Sequence, residues 1–123
     1  MISYDDFAKV EIKAGKIISA EKIPETDKLL KLNVDFAETI ESTDEQGNKV
    51  TSSKTRQIVS GISTYFPDAN ILIGKVCMFV TNLEPRMIKG FESNGMLFAL
   101  SDNNGNFSLL EPNSNIPIGT KAK

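Results

Sequence analysis

At 123 residues and 40% hydrophobic content, the chain has the length and apolar mass of one soluble domain with a single core. It contains no histidine, which removes imidazole from any metal site, nucleophile activation or general base and weighs against most hydrolase and metalloenzyme readings. A formal net charge of −2 argues against a nonspecific polyanion binder, so any nucleic-acid site has to be a local patch.

Met1 to Asp6 carry neither a basic region nor an apolar stretch of signal-peptide length. The apolar run around Cys77 is too short to span a bilayer, and the expectation is a cytoplasmic protein without membrane contact. Ser3 is placed to cap a helical turn over Tyr4 to Ala8, with Asp6 at the capping-box position, and this turn is expected to plug one end of a barrel. From Val10 the pattern turns strand-like, with Val10, Ile12 and Ala14 on one face and Glu11 and Lys13 on the other. Gly15 disturbs that phase before Ile17 and Ile18 and signals a bulge or sharp bend. Ile23 to Lys28 reads as a connection. Leu30, Leu32, Val34 and Phe36 then alternate with Leu29, Lys31, Asn33 and Asp35, as in a half-buried strand with Lys31 on its wet face.

Residues 37–54 are polar, rich in serine and threonine, and contain the turn signal Gln46-Gly47-Asn48, so they read as an inserted, extended hairpin rather than as core. They hold Glu38, Glu41, Asp44 and Glu45 against two lysines, and the rest of the chain has no basic excess. Arg56 to Ile62 resumes a strand, and Thr64 to Ala69 makes a short helical turn around Tyr65 and Phe66. Lys75 to Thr81 alternates Val76, Met78 and Val80 against Cys77 and Phe79. Cys77 is the only cysteine, without a partner for a disulfide or a paired metal motif, and reads as a buried core thiol.

The stretch from Asn82 to Met96 sets two cations and several hydrogen-bonding side chains in a glycine-punctuated loop between two apolar strands. Arg86 and Lys89 suit phosphate, Asn82, Ser93 and Asn94 suit sugars or bases, and Pro85, Gly90 and Gly95 restrict the backbone. Phe91 reads equally as a stacking platform or as an anchor for the loop, and Met96 equally as core or contact. Nothing there resembles a reaction centre, so no enzyme activity, cofactor or metal is expected. Met96 to Ser101 is an apolar strand, Asp102 to Asn106 a hairpin turn, Phe107 to Leu110 the returning strand, and Ile116 to Gly119 a terminal extended piece.

Five principal strands, a bent first strand and a short helix between strands 3 and 4 describe an all-β OB-fold. Residues 1–123 then form one domain, a five-stranded Greek-key barrel with the extended polar hairpin between strands 2 and 3. Residues 82–95 fall in its fourth inter-strand loop, where such barrels bind oligonucleotides. Lys13 and Lys31 are expected on the outer face of the first two strands, joined there by Arg56 at the start of the third.

Phe7 to Ile17, Asp27 to Asp35, Arg56 to Ile62, Asn82 to Arg86 and Ser93 to Met96 together resemble the stand-alone structure-specific tRNA-binding proteins. That family is similar to the C-terminal tRNA-binding domain of methionyl-tRNA synthetases. The likeness runs from Phe7 to the carboxyl terminus and leaves residues 37–54 outside it. It implies an OB-fold that binds tRNA by shape, usually as a homodimer and without catalysis, with an aminoacyl-tRNA synthetase as a candidate second partner. Carried over position by position, it puts Arg86 and Lys89 at the basic positions of the binding loop and Asn82, Ser93 and Met96 at its polar and apolar contact positions. Family members often have basic residues before the proline and after the arginine; Glu84 and Met87 stand there instead and lower the local positive charge. An export-related chaperone shares the superfamily, so a protein-binding module is the alternative expectation. The acidic run from Glu38 to Glu45 favours it, and Ser93 to Met96 speaks against it.

Overall fold

In a computed structural model that describes residues 1–123, nine strands follow one short helix, α1 (Tyr4–Phe7). The main sheet is built from β1 (Ile12–Lys22), β2 (Leu30–Thr43), β3 (Lys49–Ser60), β4 (Val76–Val80) and β7 (Met96–Leu97). Two small hairpins complete the set: β5 (Arg86–Ile88) with β6 (Phe91–Ser93), and β8 (Ala99–Ser101) with β9 (Phe107–Leu109). The sheet is antiparallel, runs in the order β3-β2-β1-β4-β7 and curls strongly into a half-barrel, so the all-β expectation holds.

Alternation creates the inner face of this half-barrel. Leu30, Leu32 and Val34 are fully buried and Phe36 nearly so, while Lys31, Asn33 and Asp35 stay half exposed on the other side of β2. Opposite them, Cys77 and Phe79 of β4 are fully buried, and the Phe36 and Phe79 rings meet edge to face at 5.4 Å. The first half of β1 pairs with β4 and the second half with β2, so the strand has to bend. Gly15 sits at that bend and faces inward: a Cβ there would lie 2.5 Å from the Phe36 ring and 2.7 Å from a Val34 methyl.

The phase of β1 differs from the sequence pattern. Residues directly opposed across an antiparallel pair share a face. Lys13 opposes Phe79 and Gly15 opposes Cys77, so the inward series is 13, 15 and 17. Ile12 and Ala14 are buried on the opposite face, Ile12 beside a recess that Phe7, Val10 and Ala122 also line. Periodicity cannot say which face holds the core when both faces are covered. The register shift of β1 falls between Ile17 and Ser19.

Three other expectations change. Two 3-10 turns, Ser63–Tyr65 and Ala69–Leu72, stand between β3 and β4 in place of a single helix, and the second drives Leu72 fully into the core. Ser3 does cap α1, accepting the Asp6 N–H at 3.1 Å, but every residue of α1 is exposed and the helix plugs nothing. The apolar strand after Met96 is divided at Phe98 into β7 and β8.

Beyond the barrel, β2 and β3 continue as a projecting arm whose pairs run from Glu38 opposite Lys54 to Thr43 opposite Lys49. A bulge between Asp35 and Glu38, with Ala37 at φ 61°, marks where the arm leaves. Almost every arm residue is exposed, as the polar composition of residues 37–54 implied. The carboxyl-terminal piece takes the edge of β1 that β2 leaves free: Gly119 N–H donates to the Ala14 carbonyl at 2.7 Å and Ala14 N–H to the Thr120 carbonyl at 2.9 Å.

Candidate nucleic-acid interface

The stretch expected to be an irregular loop folds as the hairpin β5–β6. Arg86 opposes Ser93, Met87 opposes Glu92 and Ile88 opposes Phe91, which leaves Lys89-Gly90 as a two-residue turn. Both turn residues are left-handed, with φ of 50° at Lys89 and 86° at Gly90, the conformation that two-residue hairpins with the native strand twist require. Lys89 therefore stands at the tip of a defined hairpin.

Arg86, Ile88, Phe91 and Ser93 share one face of the hairpin, and that face lies against the outer side of β2 and β3. Three hydrogen bonds and one cation–ring contact fasten it to β2 and β3. Ser93 Oγ accepts the Val59 N–H at 3.0 Å and donates to the Gly95 carbonyl at 3.0 Å. Asn94 N–H donates to the Gln57 carbonyl at 2.8 Å, and Gln57 Nε2 donates to the Glu92 carbonyl at 2.9 Å. The Phe91 ring carries Lys31 Nζ 5.2 Å from its centroid, so Phe91 anchors the hairpin. Sequence reasoning missed Gln57; its one signal was a polar position on the wet face of the strand from Arg56 to Ile62.

The expected contact residues fall into three groups. Arg86 and Lys89 are exposed and take part in none of the five ion pairs of the structure; Arg86 pairs with neither Glu84 nor Glu92. Lys31 stands beside them on the outer face as expected, with Glu21 at 3.5 Å. Met96 opposes Val80 and is 48% exposed, which removes the core reading, and exposed Leu83 and Met87 lie on the same chain segment.

Asn82 and Ser93 have their polar atoms engaged by the chain itself. Asn82 Oδ1 accepts the Glu11 N–H at 2.8 Å and its Nδ2 donates to the Lys9 carbonyl, which ties the hairpin's root to the segment before β1. Ser93 is 4% exposed, and its hydroxyl fills the seam between β3 and the hairpin.

Lys13 and Arg56 lie on the inner side of the sheet, at the mouth of the half-barrel, contrary to the expected outer face. Both corrections follow from register: Lys13 opposes buried Phe79, and Arg56 opposes buried Val34. Arg56 donates through Nε and Nη2 to the two oxygens of Glu38, each at 2.7 Å, and through Nη1 to the Thr81 carbonyl at 2.6 Å. Lys13 pairs with Glu11 at 3.3 Å, and Glu11 accepts the Thr81 hydroxyl at 2.6 Å. Hydrogen bonding from Arg56 holds the Glu38 carboxyl below its ordinary range against the opposing effect of burial, and the Glu38 bond raises Arg56 in turn. The Thr81 hydroxyl lowers Glu11 in the same way, with burial opposing and Lys13 assisting.

No group of three or more histidine, cysteine, aspartate or glutamate side chains is arranged to hold a metal, and no helix is long and apolar enough to cross a membrane. What the surface offers is two unpaired cations on a hydrogen-bonded hairpin, with a third on the adjoining sheet.

Residues 47–121 match the family described as "Putative tRNA binding domain". The chain is 44% identical over 122 residues to the methionine–tRNA ligase of Methanospirillum hungatei, covering 99% of this chain and 16% of the ligase. For the Methanoregula boonei methionine–tRNA ligase the identity is 45% over 124 residues, covering 100% of this chain and again 16% of the ligase. The chain thus spans about one sixth of the length of these curated relatives. Among solved structures, a MetRS-related protein from Pyrococcus horikoshii superposes with a TM-score of 0.81 at 33% identity, covering 100% of this chain and 98% of that one. The CsaA chaperone protein of Picrophilus torridus gives 0.76 at 27% identity, with both chains covered in full.

Proposed function

The chain belongs to the tRNA-binding domain family, and from that premise we propose that it is a non-catalytic module that docks structured tRNA against the hairpin β5–β6 and the adjoining outer face of β2 and β3. The observation that carries this reading is the pair Arg86 and Lys89, unpaired and exposed on a hairpin whose second strand is fastened to β3. These two cations meet backbone phosphates, and Lys31 adds a third charge when it leaves Glu21. Met96 supplies apolar contact beside them. Asn82 and Ser93 act by shaping the hairpin, and Lys13 and Arg56 by holding the barrel mouth. Recognition in this reading is of shape, carried by phosphate contacts that hold no sequence information.

Titration with unfractionated tRNA and with an unrelated single strand, at two salt concentrations, tests the proposal. Tighter binding of tRNA by the parent, with Arg86→Ala and Lys89→Ala each weakening it and each reducing the salt slope by about 1, is the expected result. Equal parent binding to both nucleic acids defeats structure-specific docking, and unchanged affinity in both variants removes the hairpin's role.

The whole chain acts as one domain in this reading, with residues 37–54 as an insertion, and it works in the cytoplasm. It supplies tRNA affinity to a methionyl-tRNA synthetase, a role suggested by whole-chain similarity to a segment of methionine–tRNA ligases. It does so as a homodimer joined through Tyr4, Phe7 and Val10, which are 82%, 50% and 39% exposed around one recess. Tyr65 and Phe66, by contrast, pack on Phe107 of the same chain. Light scattering that finds only the 13.5 kDa monomer at micromolar concentration overturns the dimer. A second reading, protein binding, draws on the likeness to CsaA and on exposed Leu83, Met87 and Met96 beside the hairpin. Binding of unfolded polypeptide in competition with tRNA would favour it.

A further inference from the structure

Arg56 was expected to be an RNA contact, yet its guanidinium is turned into the fold and each of its three nitrogens donates a hydrogen bond within the chain. Two of them grip Glu38, the first paired residue of the projecting arm, directly after the bulge at Ala37. The third holds the Thr81 carbonyl. Thr81 immediately precedes Asn82, whose amide is bound to Lys9 and Glu11, so the root of the arm and the root of the hairpin segment are tied through one side chain. Only 12% of the Arg56 side chain is exposed, and the Phe36 ring lies 5.4 Å from the guanidinium carbon. A phosphate would compete there with a bidentate carboxylate in a partly buried site.

We propose that Arg56 and Glu38 are positioning residues for tRNA docking: together they set the direction in which the segment carrying Arg86 and Lys89 leaves the barrel. The inference rests on the tRNA reading above. It has an uncommon sign, because an acidic residue then promotes binding of a polyanion. Charge alone predicts that Glu38→Gln tightens tRNA binding; loss of positioning predicts that it weakens it.

The experiment compares the parent with Glu38→Gln and Arg56→Gln, each confirmed as folded by circular dichroism, in tRNA titrations across salt. Both variants should lose about 2- to 30-fold in affinity, the range for residues that act without touching the ligand. The salt slope should stay at the parent value, because no phosphate contact is lost. Amide exchange without RNA gives an independent readout, and the amides from Asn82 to Ser93 should exchange faster in Glu38→Gln. Glu38→Gln binding as tightly as the parent or more tightly, a slope reduced by about 1 in Arg56→Gln, or unchanged hairpin exchange overturns the proposal. If Arg56→Gln does not fold, Glu38→Gln and the exchange measurement decide alone. A parent that binds no tRNA at all defeats the functional reading; hairpin exchange still reports whether the clamp positions that segment.

Discussion

Ser93→Ala separates two roles for one residue, ligand contact and barrel seam. The Ser93 hydroxyl accepts from the Val59 amide and donates to the Gly95 carbonyl, both at 3.0 Å, and Ser93 and Val59 are 4% and 6% exposed. Alanine leaves a buried N–H with no partner, which costs about 1–3 kcal/mol. The Gly95 carbonyl keeps a second lone pair and adds less, so about 2 kcal/mol is the expected loss. With a urea m-value of about 2 kcal/mol/M for a domain of this size, the unfolding midpoint should fall by about 1 M. Without denaturant, a domain stable by about 5 kcal/mol or more stays folded after that loss, so tRNA binding remains measurable and its salt slope should match the parent's. An unchanged midpoint together with a tenfold fall in tRNA affinity would refute the seam role and make Ser93 a direct contact.

Gly15→Ala pushes a methyl into Phe36 and Val34 and should destabilise by about 1–3 kcal/mol, with part of the loss recovered when Phe36→Leu is added; additive losses in urea unfolding would show that the two side chains do not collide. Burial, with help from Glu111 and against Lys75, pushes the Cys77 thiol up to about 11, so iodoacetamide at pH 8 should alkylate it only after unfolding. Equal alkylation rates in folded and unfolded protein would contradict its place in the core. Glu38 has a depressed folded-state pKa, so its stabilisation is present above the ordinary value of 4.5 and is lost as pH falls through the folded value. Glu38→Gln should therefore be less stable than the parent near neutral pH and show a shallower acid decline, read from urea midpoints across pH. Lys89→Asn should stabilise the hairpin by up to about 1 kcal/mol, because asparagine tolerates φ of 50° better than lysine, while weakening tRNA binding; a stability loss would contradict the turn geometry.

The strands with one wet face were legible in the sequence. In β2 the alternation of Leu30, Leu32, Val34 and Phe36 leaves one solution, and the arm announced itself through polarity and the turn at Gly47. The strand β1 was not legible in the same way, since both its faces are covered at Ile12 to Gly15, and apolar periodicity then loses its sign. That single inversion carried Lys13 to the wrong side. Arg56 failed for a related reason: its guanidinium is held by Glu38 and Thr81, 18 and 25 positions away, and no local pattern reports such a partner. Arg86 and Lys89 were legible because a tight turn with a glycine has to expose its neighbours. The burial of Ser93 between the hairpin and β3 was not, because a serine's burial is decided by the strand it meets.

The inverted phase of β1 bears on how a chain with net negative charge can hold a polyanion. Lys13 and Arg56 face inward and neutralise Glu11 and Glu38, so these charges form a closed network at the barrel mouth and contribute little to the outer field. At the hairpin only Arg86 and Lys89 are left unpaired, so in the proposed docking their placement matters more than their number. A flexible loop carrying Arg86 and Lys89 would spend part of each phosphate contact on ordering itself. Here that ordering is already complete in the free protein, through the left-handed turn at Lys89-Gly90, the Ser93 seam and the Gln57 contacts. In the proposed docking, two cations carried on one hairpin would favour those pairs of phosphates that a folded RNA holds at a matching spacing.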